Sequence, residues 1–372
     1  MEQRRAERLP HRAEHVGSLL RPRELKDAFR AHAEGRLDDE AFAAIEERAM
    51  RAAIALQEEV GLRTITDGEF RRAAWSAGFV WALDGLEPRD SSFEFRDDAG
   101  DVIRWQTCYA VRPLRRRRGI TTDEYAFVRA ATRLTPKVTM PAPSFFHFFR
   151  GADCADRGVY PDLGEFWSDL VEIYRQELAD LADLGVTYVQ IDEVPLAMLC
   201  DPEVRDRVRA RGEEPEALID TYVSTVNQVL ERRPSGMTVA MHLCRGNLRG
   251  HWMASGGYEA IAERLFGGIA VDAFFLEYDS PRAGGFEPLR FVPRDKIVVL
   301  GLVSSKSATL ENKDDLRRRL DAASRFVPLE RLALSPQCGF ASTVGGNPLS
   351  SDDQWAKLGR VVEVAREVWG EA

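Results

Sequence analysis

Short apolar runs alternate with helical segments along most of the chain, and this alternation constrains the possible folds more than any other feature. Eight runs have the length and composition of strands: 13–18, 64–69 (a strand with its closing turn), 137–140, 186–192, 238–243, 272–277, 296–302 and 331–335. Helical periodicity marks the segments 23–34, 38–60, 163–184, 214–232, 256–266, 309–325 and 351–369. Strands that alternate with helices predict a parallel sheet, and eight such units predict a barrel.

The fold class follows from this pattern. An open, doubly wound sheet is the alternative architecture, but no Gly-x-Gly-x-x-Gly turn opens its first unit. We therefore predict an α/β fold, a TIM (β/α)8 barrel, with residues 1–372 as a single domain. Between about 85 and 134 the pattern changes to β-like runs without a clear long helix. We interpret this segment as a β-rich insertion after the second strand that carries a small hairpin.

Charge and composition exclude several classes of protein. The formal net charge of −9 opposes general nucleic-acid binding, which requires a basic surface. No run of about 18 apolar residues could span a membrane, and the polar N-terminus, Met1–Arg5, has no apolar signal-peptide core. The five cysteines are scattered and odd in number, unlike a disulfide framework. We expect a cytoplasmic protein whose reduced thiols are available to a metal.

The predicted strand ends carry the candidate functional residues. A TIM barrel places its active site at the carboxyl ends of its strands. In this chain all eight predicted strand ends have polar or metal-binding residue types. Some of them would only cap the following helix. The candidates are Gly17, Ser18, Asp67, Glu69, Ser144, Asp192, Glu193, His242, Cys244, Glu277, Ser304, Ser305, Lys306 and Cys338.

A candidate metal site begins at the end of the fifth predicted strand. His242 and Cys244 are two residues apart, so they point to the same side of an extended strand. Alone, such a pair is more often packed in a core, because unpaired cysteines are usually buried. Glu277 and Cys338, at later strand ends, supply the other half of a zinc site, since thiolates and imidazole suit zinc better than magnesium or calcium. We interpret the remaining cysteines as structural: Cys108, Cys154 and Cys200.

Six motifs resemble one enzyme family, in that family's order and over almost the whole chain. They are His15-Val16-Gly17-Ser18, Thr66-Asp67-Gly68-Glu69, Val189-Gln190-Ile191-Asp192-Glu193, Met241-His242-Leu243-Cys244, Phe275-Leu276-Glu277 and Ser335-Pro336-Gln337-Cys338-Gly339. The chain resembles the catalytic C-terminal barrel of cobalamin-independent methionine synthase, and especially the short, single-barrel members of that family. The resemblance implies a catalytic zinc ion whose ligands are His242, Cys244, Glu277 and Cys338.

The resemblance also implies homocysteine as the methyl acceptor. The family binds the ammonium of homocysteine with carboxylates that match Glu69 and Asp192. It places the substrate carboxylate against the backbone around Gly17 and Ser18. The residues suit these roles chemically, because a glycine-broken turn exposes N–H groups to an anion and two acids attract a cation. The alternative for Glu69 and Asp192 is helix capping after the strand.

The implied reaction is methyl transfer from a reduced folate. A free thiol with a pKa near ~8.5 is mostly protonated at neutral pH, and coordination to a divalent cation deprotonates it. The resemblance implies that this zinc-activated thiolate of homocysteine takes the methyl group of 5-methyltetrahydrofolate to give methionine. The leaving nitrogen needs a proton, which Lys306 could donate. Lys306 could equally bind an anion or be solvated.

Three departures from the family leave the methyl donor open. The additional N-terminal barrel of the long members, which helps to bind the polyglutamate tail of the folate, is not expected here. The family's pterin-stacking tryptophan is not found in the matching segment, so Trp75, Phe145 or Phe146 could stack a flat donor or else pack the barrel rim. Lys306 lies in the segment where methionine synthase has a histidine.

Other functions stay open from the sequence alone. One is zinc-dependent alkyl transfer to another small thiol, as in epoxyalkane:coenzyme M transferase, although Glu69 and Asp192 suit a sulfonate tail poorly. The basic run Arg115–Arg118 could bind an anionic tail, but such runs are usually solvated. A metal-free barrel like uroporphyrinogen decarboxylase would need arginines at its strand ends. A zinc-storage protein would not need the Glu69–Asp192 pair.

Overall fold

The computed structural model describes residues 9–372, and the polar segment Met1–Arg5 lies outside that range. Most of the described strands lie close to the predicted positions. The strands are β1 (Thr64–Ile65), β2 (Leu83–Asp90), β3 (Phe95–Arg96), β4 (Val102–Ile103), β5 (Gln106–Arg116), β6 (Thr135–Pro136), β7 (Val138–Pro141), β8 (Tyr188–Glu193), β9 (Thr238–Leu243), β10 (Ala273–Glu277), β11 (Ile297–Val303) and β12 (Leu332–Pro336).

Helices lie between these strands, and seven of them match the predicted segments, whereas α3, α4, α5, α7 and α8 were not predicted. They are α1 (Arg23–Ala33), α2 (Asp39–Val60), α3 (Ala77–Val80), α4 (Thr122–Ala131), α5 (Phe145–Phe148), α6 (Leu163–Asp183), α7 (Pro195–Met198), α8 (Pro202–Ala210), α9 (Pro215–Leu230), α10 (Glu259–Gly268), α11 (Lys313–Ser324) and α12 (Ser351–Trp369). The Asp38 side chain caps the start of α2, and Gly61 ends that helix at a φ of 99°. A capping box between Ser350 and Asp353 starts α12. Short 3-10 helices cover Gly151–Asp153, Pro281–Ala283, Glu287–Phe291 and Leu329–Arg331.

Six strands form one parallel sheet in the order β12-β11-β10-β9-β8-β7. Strands that follow one another along the chain therefore lie side by side. Parallel neighbours need a crossover connection, which α6, α9 and α11 supply at three of the junctions. A separate pair, β1 and β6, is also parallel, and β6 directly precedes β7. These pairings confirm the predicted α/β fold with a parallel sheet.

The two faces of the sheet bury different sets of side chains. Met241 and Leu243 of β9 belong to the large apolar core. Successive side chains of a strand point to opposite faces, so His242 faces the other way, as Ala240 does. That second face carries a smaller cluster to which five strands contribute: Val16, Tyr188, Ala240, Ala273, Phe275, Val299 and Ala333.

The prediction of a strand at 13–18 is wrong for most of the segment. Only Ala13 forms a bridge, with Leu334 of β12. Beyond it, a side chain replaces the strand ladder, since Gln190 of β8 donates a hydrogen bond from Nε2 to Val16 O at 2.7 Å. Side chains thus hold the segment in an extended conformation. A strand-like sequence pattern does not distinguish such a segment from a strand that pairs through its backbone.

Residues 64–69, predicted as a strand with its closing turn, contain both. β1 ends at Ile65, and the chain then turns through Gly68 and Glu69 at φ values of 74° and 60°. Positive φ is incompatible with an extended strand and is unusual for a glutamate. The Glu69 side chain is therefore presented from a turn.

The segment predicted to be a β-rich insertion, about 85–134, contains two antiparallel pairs. β2 pairs with β5, and β3 pairs with β4. We call residues 83–116 the hairpin. The final part differs from the prediction, because α4 is a helix whose buried face is marked only by Tyr125 and Val128. That the segment is an insertion into a barrel stays a prediction.

Two findings concern the cysteines and the hydropathy of the helices. All five cysteines are unpaired and buried. No helix within residues 9–372 is long and apolar enough to cross a membrane. The cytoplasmic location stays a prediction.

A buried ion pair holds the first segment against the sheet. Lys137 Nζ lies 3.4 Å from Glu14 Oε2, and neither side chain is exposed to solvent. Lys137 also donates to Gln190 Oε1 at 2.9 Å, and Thr64 Oγ1 donates to Glu14 Oε1 at 2.7 Å. These contacts connect the segment around Glu14 to β1, to β8 and to the start of β7.

Removing one member of this ion pair should destabilise the fold strongly. Lys137→Met leaves the Glu14 carboxylate buried without its cationic partner. We therefore expect the substitution to lower the free energy of unfolding by about 3–5 kcal/mol. Urea denaturation followed by circular dichroism measures the change. The double variant Glu14→Gln/Lys137→Met removes both charges and should recover part of the loss. A single variant as stable as the wild type would contradict a structural role for the pair.

Candidate metal and substrate site

Three residues of metal-binding types meet where β9 and β12 end. The ligand atoms of His242, Cys244 and Cys338 all lie within 4.8 Å of one another, and the two thiol sulfurs are 3.4 Å apart. All three side chains are buried. Cys244 follows His242 by two residues along the strand direction, which keeps both side chains on the face opposite Met241 and Leu243. The structure thus brings together three of the four predicted metal-binding residues.

The chemistry of this group, called the His–Cys–Cys cluster below, fits zinc. Neither ring nitrogen of His242 makes a hydrogen bond, although the residue is only 2% exposed. A buried polar atom without a partner costs about 1–3 kcal/mol, so these nitrogens indicate a ligand. The adjacent Cys338 thiol and burial raise the pKa of Cys244 far above its usual value, an effect that a bound cation would reverse. One imidazole and two thiolates are ligands that zinc accepts.

Glu277, the fourth predicted ligand, is not part of the cluster found among residues 9–372. Its carboxylate accepts hydrogen bonds from Lys306 Nζ at 3.3 Å and from the backbone N–H of Arg245 at 3.0 Å. Arg282 Nη2 lies 3.6 Å away. Burial raises the pKa of the Glu277 carboxyl, but Lys306 and Arg245 outweigh burial and lower that pKa to about 2. Protein cations therefore already neutralise Glu277, and its role as a metal ligand stays a prediction.

Lys306, predicted as a proton donor, an anion site or a solvated residue, lies mostly buried beside Glu277. Its side chain is 11% exposed and forms an ion pair with Glu277. Burial lowers the pKa of the Lys306 ammonium, but Glu277 and Asp279 outweigh burial and raise it. An ammonium with a raised pKa is a weak acid at neutral pH. The geometry favours Lys306 as the counter-ion of Glu277, and its catalytic role stays a prediction.

Glu69 and Asp192, the predicted cation-binding pair, are both buried beside the cluster. The strand register makes Asp192 the direct neighbour of His242. Glu69 Oε1 accepts a hydrogen bond from Thr139 Oγ1 at 2.8 Å, whereas Glu69 Oε2 has no partner. Burial raises the pKa of Asp192 to about 7 and also raises the pKa of Glu69. A ligand ammonium would lower both pKa values and would partner the free oxygen.

Gly17 and Ser18 lie against this acid pair. Gly17 has a φ of 147°, and an added Cβ would lie 2.9 Å from Thr139 Cγ2 and 3.2 Å from Glu69 Oε1. Both the conformation and the space favour glycine here. The Ser18 carbonyl accepts a hydrogen bond from the backbone N–H of Phe340 at 3.0 Å, which ties the turn to the loop after β12. Anion binding by this turn stays a prediction.

Other strand-end residues have structural partners, as the capping alternative predicts. Asp67 Oδ1 accepts a hydrogen bond from the backbone N–H of Glu69 at 2.8 Å. Glu193 Oε1 accepts from the backbone N–H of Leu196 at 2.8 Å, and Glu193 Oε2 accepts from Ser144 Oγ at 2.6 Å. These contacts hold the loops that surround the site, and they account for Ser144 and Glu193 without a ligand, whereas Asp67 Oδ2 is buried without a partner.

One cavity of about 270 Å³ opens over the cluster and the acid pair. Trp75 and Phe145, two of the three aromatic residues predicted to stack a donor, line it, and their rings meet edge to face at 5.3 Å. Phe146 does not line it, because the next residue along a helix points roughly 100° away. Phe146 instead packs against Phe145 at 6.0 Å. The predicted functional residues in the wall are Ser18, Glu69, Trp75, Phe145, Asp192, His242, Cys244 and Cys338.

The sequence analysis missed several residues of the cavity wall. Phe95 and Trp105 reach it from the hairpin, although nothing in their local sequence marks them as functional. Asn247 also lines it, three residues after Cys244. The sequence did contain a signal for Asn247, because an amide in the loop that follows a metal-binding pair is a candidate ligand contact.

The basic run Arg115–Arg118 does not line the cavity. Arg116 forms an ion pair with Glu177 at 3.0 Å, and Arg117 forms one with Asp84. Two of the four arginines are thus engaged by acids of the same chain. The contacts favour the structural interpretation of this run over binding of an anionic tail.

Comparison with known families agrees with the geometry. A model of the catalytic domain of cobalamin-independent synthase matches residues 13–367. The chain belongs to the cobalamin-independent methionine synthase family. It carries this catalytic domain over nearly its whole described length.

The chain is also similar to individual proteins and to a solved structure. The chain is 40% identical over 368 residues to the uncharacterized protein YxjH of Bacillus subtilis (strain 168), covering 97% of this chain and 95% of the relative. It is 26% identical over 333 residues to a methionine synthase of Pyrococcus abyssi, covering 87% and 85%. A crystal structure from Listeria monocytogenes, assigned as a vitamin-B12-independent methionine synthase, has a TM-score of 0.76 and 31% identity, covering 98% and 100%.

Metal content should depend on the His–Cys–Cys cluster more than on Glu277. We expect the wild type to bind about one zinc ion per chain, and Cys244→Ser to lose it, because the substitution removes a ligand. Glu277→Gln should keep zinc with an affinity lowered by about 10–100-fold, as an outer partner of the site. Elemental analysis and titration against a chelator measure both effects.

The matched control is Cys154→Ala, which removes a buried thiol that is not in the cluster. It should bind zinc like the wild type. Full zinc retention by Cys244→Ser would contradict the assigned site, and complete zinc loss in Glu277→Gln would make Glu277 a direct ligand.

Proposed function

We propose that this protein is a zinc-dependent methyltransferase that methylates the thiol of homocysteine to give methionine. The observation that carries the proposal is the meeting of the His–Cys–Cys cluster and the Glu69–Asp192 pair in one cavity. A thiol-activating metal beside a cation site suits a small molecule that has both a thiol and an ammonium. Membership of the family and the name of the Pyrococcus relative support the same reaction.

Zinc is the proposed metal, and His242, Cys244 and Cys338 would hold it. Three protein ligands are typical of catalytic zinc sites, which leave a further position for a substrate atom. When bound, zinc supplies a Lewis acid that favours the thiolate form of a substrate thiol at neutral pH. Glu277, with its three basic partners, is proposed to adjust the charge beside the cluster.

The acceptor is proposed to bind through both of its charged groups. Glu69 and Asp192 would accept hydrogen bonds from the ammonium, which supplies the partner that Glu69 Oε2 lacks. The turn at Gly17 and Ser18 would receive the carboxylate. Binding at two points orients the thiol, and orientation contributes much of the rate gained by bringing two reactants together.

The proposed methyl donor is 5-methyltetrahydrofolate. Trp75 and Phe145 offer apolar ring surface to a flat donor, next to the cluster. In the transfer a sulfur–carbon bond forms and the nitrogen–carbon bond of the donor breaks. The acceptor loses its thiol proton and the donor nitrogen gains one, so atoms and charges balance.

We also propose that the sheet closes into a TIM (β/α)8 barrel. At one edge, the chain of β7 is preceded directly by β6, which pairs with β1, and at the other edge β12 forms a bridge with Ala13. Thr66 Oγ1 donates a hydrogen bond to Gly17 O at 2.7 Å between the two ends. In this arrangement the chain is a single barrel domain, and the hairpin is an insertion after the second strand.

The acid pair should make the enzyme select acceptors with an ammonium group. We expect the wild type to use homocysteine at least about 100-fold better, by kcat/KM, than 4-mercaptobutyrate or coenzyme M, which lack it. A hydrogen bond to a charged group contributes about 1.5–3 kcal/mol, and each 1.4 kcal/mol is tenfold. Asp192→Asn and Glu69→Gln should each reduce this preference by about tenfold or more.

The assay follows methyl transfer to each thiol in zinc-loaded enzyme with several donors offered. Glu87→Gln, on the exposed part of the hairpin, is the matched control and should keep the wild-type preference. Preference for coenzyme M that is unchanged by Glu69→Gln would favour the alternative function, alkyl transfer to another small thiol. A protein that binds zinc but alkylates none of the thiols would instead indicate zinc storage.

A further inference from the structure

The outer part of the cavity is an aromatic chamber that the hairpin closes. Trp105 from the hairpin stands 6.3 Å from Phe145 and 4.7 Å from Phe149, measured between ring centroids. Phe95 packs on Trp105 at 5.8 Å. Trp75 completes the group opposite the hairpin through its contact with Phe145. These rings line the same cavity as the His–Cys–Cys cluster, so a molecule held by them lies beside the acceptor thiol.

The polar group of Trp105 is already engaged inside the hairpin. Its indole Nε1–H donates a hydrogen bond to Phe93 O at 2.9 Å. The indole therefore needs no partner from a ligand and can offer apolar ring surface to the chamber. Aromatic surface of this kind binds flat rings through offset or edge-to-face contacts.

The chamber offers no cation to an anionic ligand. Among the described residues that line it, none is lysine or arginine, and the carboxylates are Glu69 and Asp192. The arginines nearest to Trp105 in the hairpin are paired elsewhere: Arg104 lies 2.8 Å from Glu94, and Arg96 lies 3.1 Å from Glu203. Glu69 is paired with Arg72 at 3.6 Å, and Arg72 does not line the cavity. An anionic tail drawn into this chamber would therefore meet carboxylates and no lysine or arginine among the lining residues.

Of the two amide side chains that line the cavity, those of Gln106 and Asn247, only that of Asn247 is buried. Asn247 is 4% exposed, and its Nδ2 donates a hydrogen bond to Gly339 O at 2.9 Å. This contact orients the amide, and Asn247 Oδ1 is left buried without a partner. A buried acceptor without a partner indicates a ligand donor, such as an N–H at the edge of a heteroaromatic ring.

The hairpin is fixed in place by backbone hydrogen bonds on two sides. Arg96 and Trp252 exchange a pair of hydrogen bonds, each 2.7 Å long. On the other side, the N–H of Ala110 donates to Cys154 O at 2.9 Å. The position of Trp105 over the chamber is therefore determined by the folded chain before any ligand binds.

We propose that the hairpin is the donor-specificity element of this enzyme. The chamber binds the fused ring system of the donor, whose aromatic half packs against Trp105, Trp75 and Phe145 while its reduced half carries the methyl group. Asn247 Oδ1 is the hydrogen-bond acceptor for this ring system. Any anionic tail of the donor stays outside and is not recognised. The cavity volume of about 270 Å³ is at the small end of ligand sites, ~300–1,000 Å³, which suits an amino-acid thiol plus a ring. The proposal rests on the proposed methyl transfer.

The test compares donors that share a ring and differ in their tail. Binding of mono- and triglutamyl 5-methyltetrahydrofolate to the zinc-loaded protein is measured by equilibrium dialysis, and methyl transfer to homocysteine is measured separately. We expect the two forms to bind within about threefold of each other. Trp105→Ala should weaken donor binding by about tenfold or more, since one stacking contact is lost. The KM for homocysteine and the zinc content should not change.

Two further variants separate recognition from folding. Trp105→Phe keeps an aromatic ring and should recover most of the donor affinity. Tyr109→Ala removes an aromatic residue of the same hairpin whose ring lies between Arg89 and Arg150, outside the cavity wall, and should bind the donor like the wild type.

Three results would overturn the proposal. One is a triglutamyl form that binds more than about tenfold better than the monoglutamyl form. Another is equal donor affinity in Trp105→Ala and Tyr109→Ala. The third is transfer from a small sulfonium donor such as S-methylmethionine, with no binding of either folate. Binding without any methyl transfer to homocysteine would refute the proposed function while leaving the chamber assignment supported.

Discussion

The site depends on one constraint, the register between neighbouring parallel strands. Side chains alternate between the two faces of a strand, so register decides which residues from different strands become neighbours. The register of β8 and β9 makes Asp192 the direct neighbour of His242. Cys244 then lies on the same face two residues later. A shift of one residue in this pairing would move both ligands to the apolar core and would separate the carboxylate from the cluster.

The irregular first segment completes the site because side chains hold it in place. Glu14 and Lys137 pair in the interior, and Gln190 bonds to the Val16 carbonyl. These contacts bring Gly17 so close to Glu69 that a side chain at position 17 would collide with its surroundings. The buried polar residues around Glu14 and Lys137 thus stabilise the fold, and those around Gly17 and Glu69 shape the proposed binding site. Burial of both carboxylates, Glu69 and Asp192, is the cost of a site that a cation can stabilise.

Two levels of specificity are separated in space. The strand ends and the turn at Glu69 carry the cluster and the acid pair. The hairpin adds aromatic surface over the same cavity from residues 83–116. A rigid scaffold that presents chemistry at its strand ends, with loops that select the second substrate, is a common division of roles in α/β enzymes.

Sequence periodicity was sufficient for the regular elements. The bounds of β9 and α12 agree with the prediction, because each combines a clear period with a turn or cap at its ends. It was not sufficient for α4, where few buried positions mark the helix, or for 13–18, where an extended segment lacks a ladder. Local patterns describe how a segment can fold, whereas partners from distant strands decide whether it becomes a strand.

The sequence by itself determined the parallel α/β fold, the His-x-Cys pair and the acidic residues Glu69 and Asp192 as candidates, because these follow from local period and residue chemistry. Only the tertiary structure decided that Glu277 is held by Lys306, Arg282 and Arg245 outside the cluster. The same holds for Trp105, which reaches the cavity through the folding of the hairpin, and for Phe146, which the turn of α5 directs away. The physical reason is that side-chain direction and charge pairing depend on residues far apart in the chain, which no local pattern records.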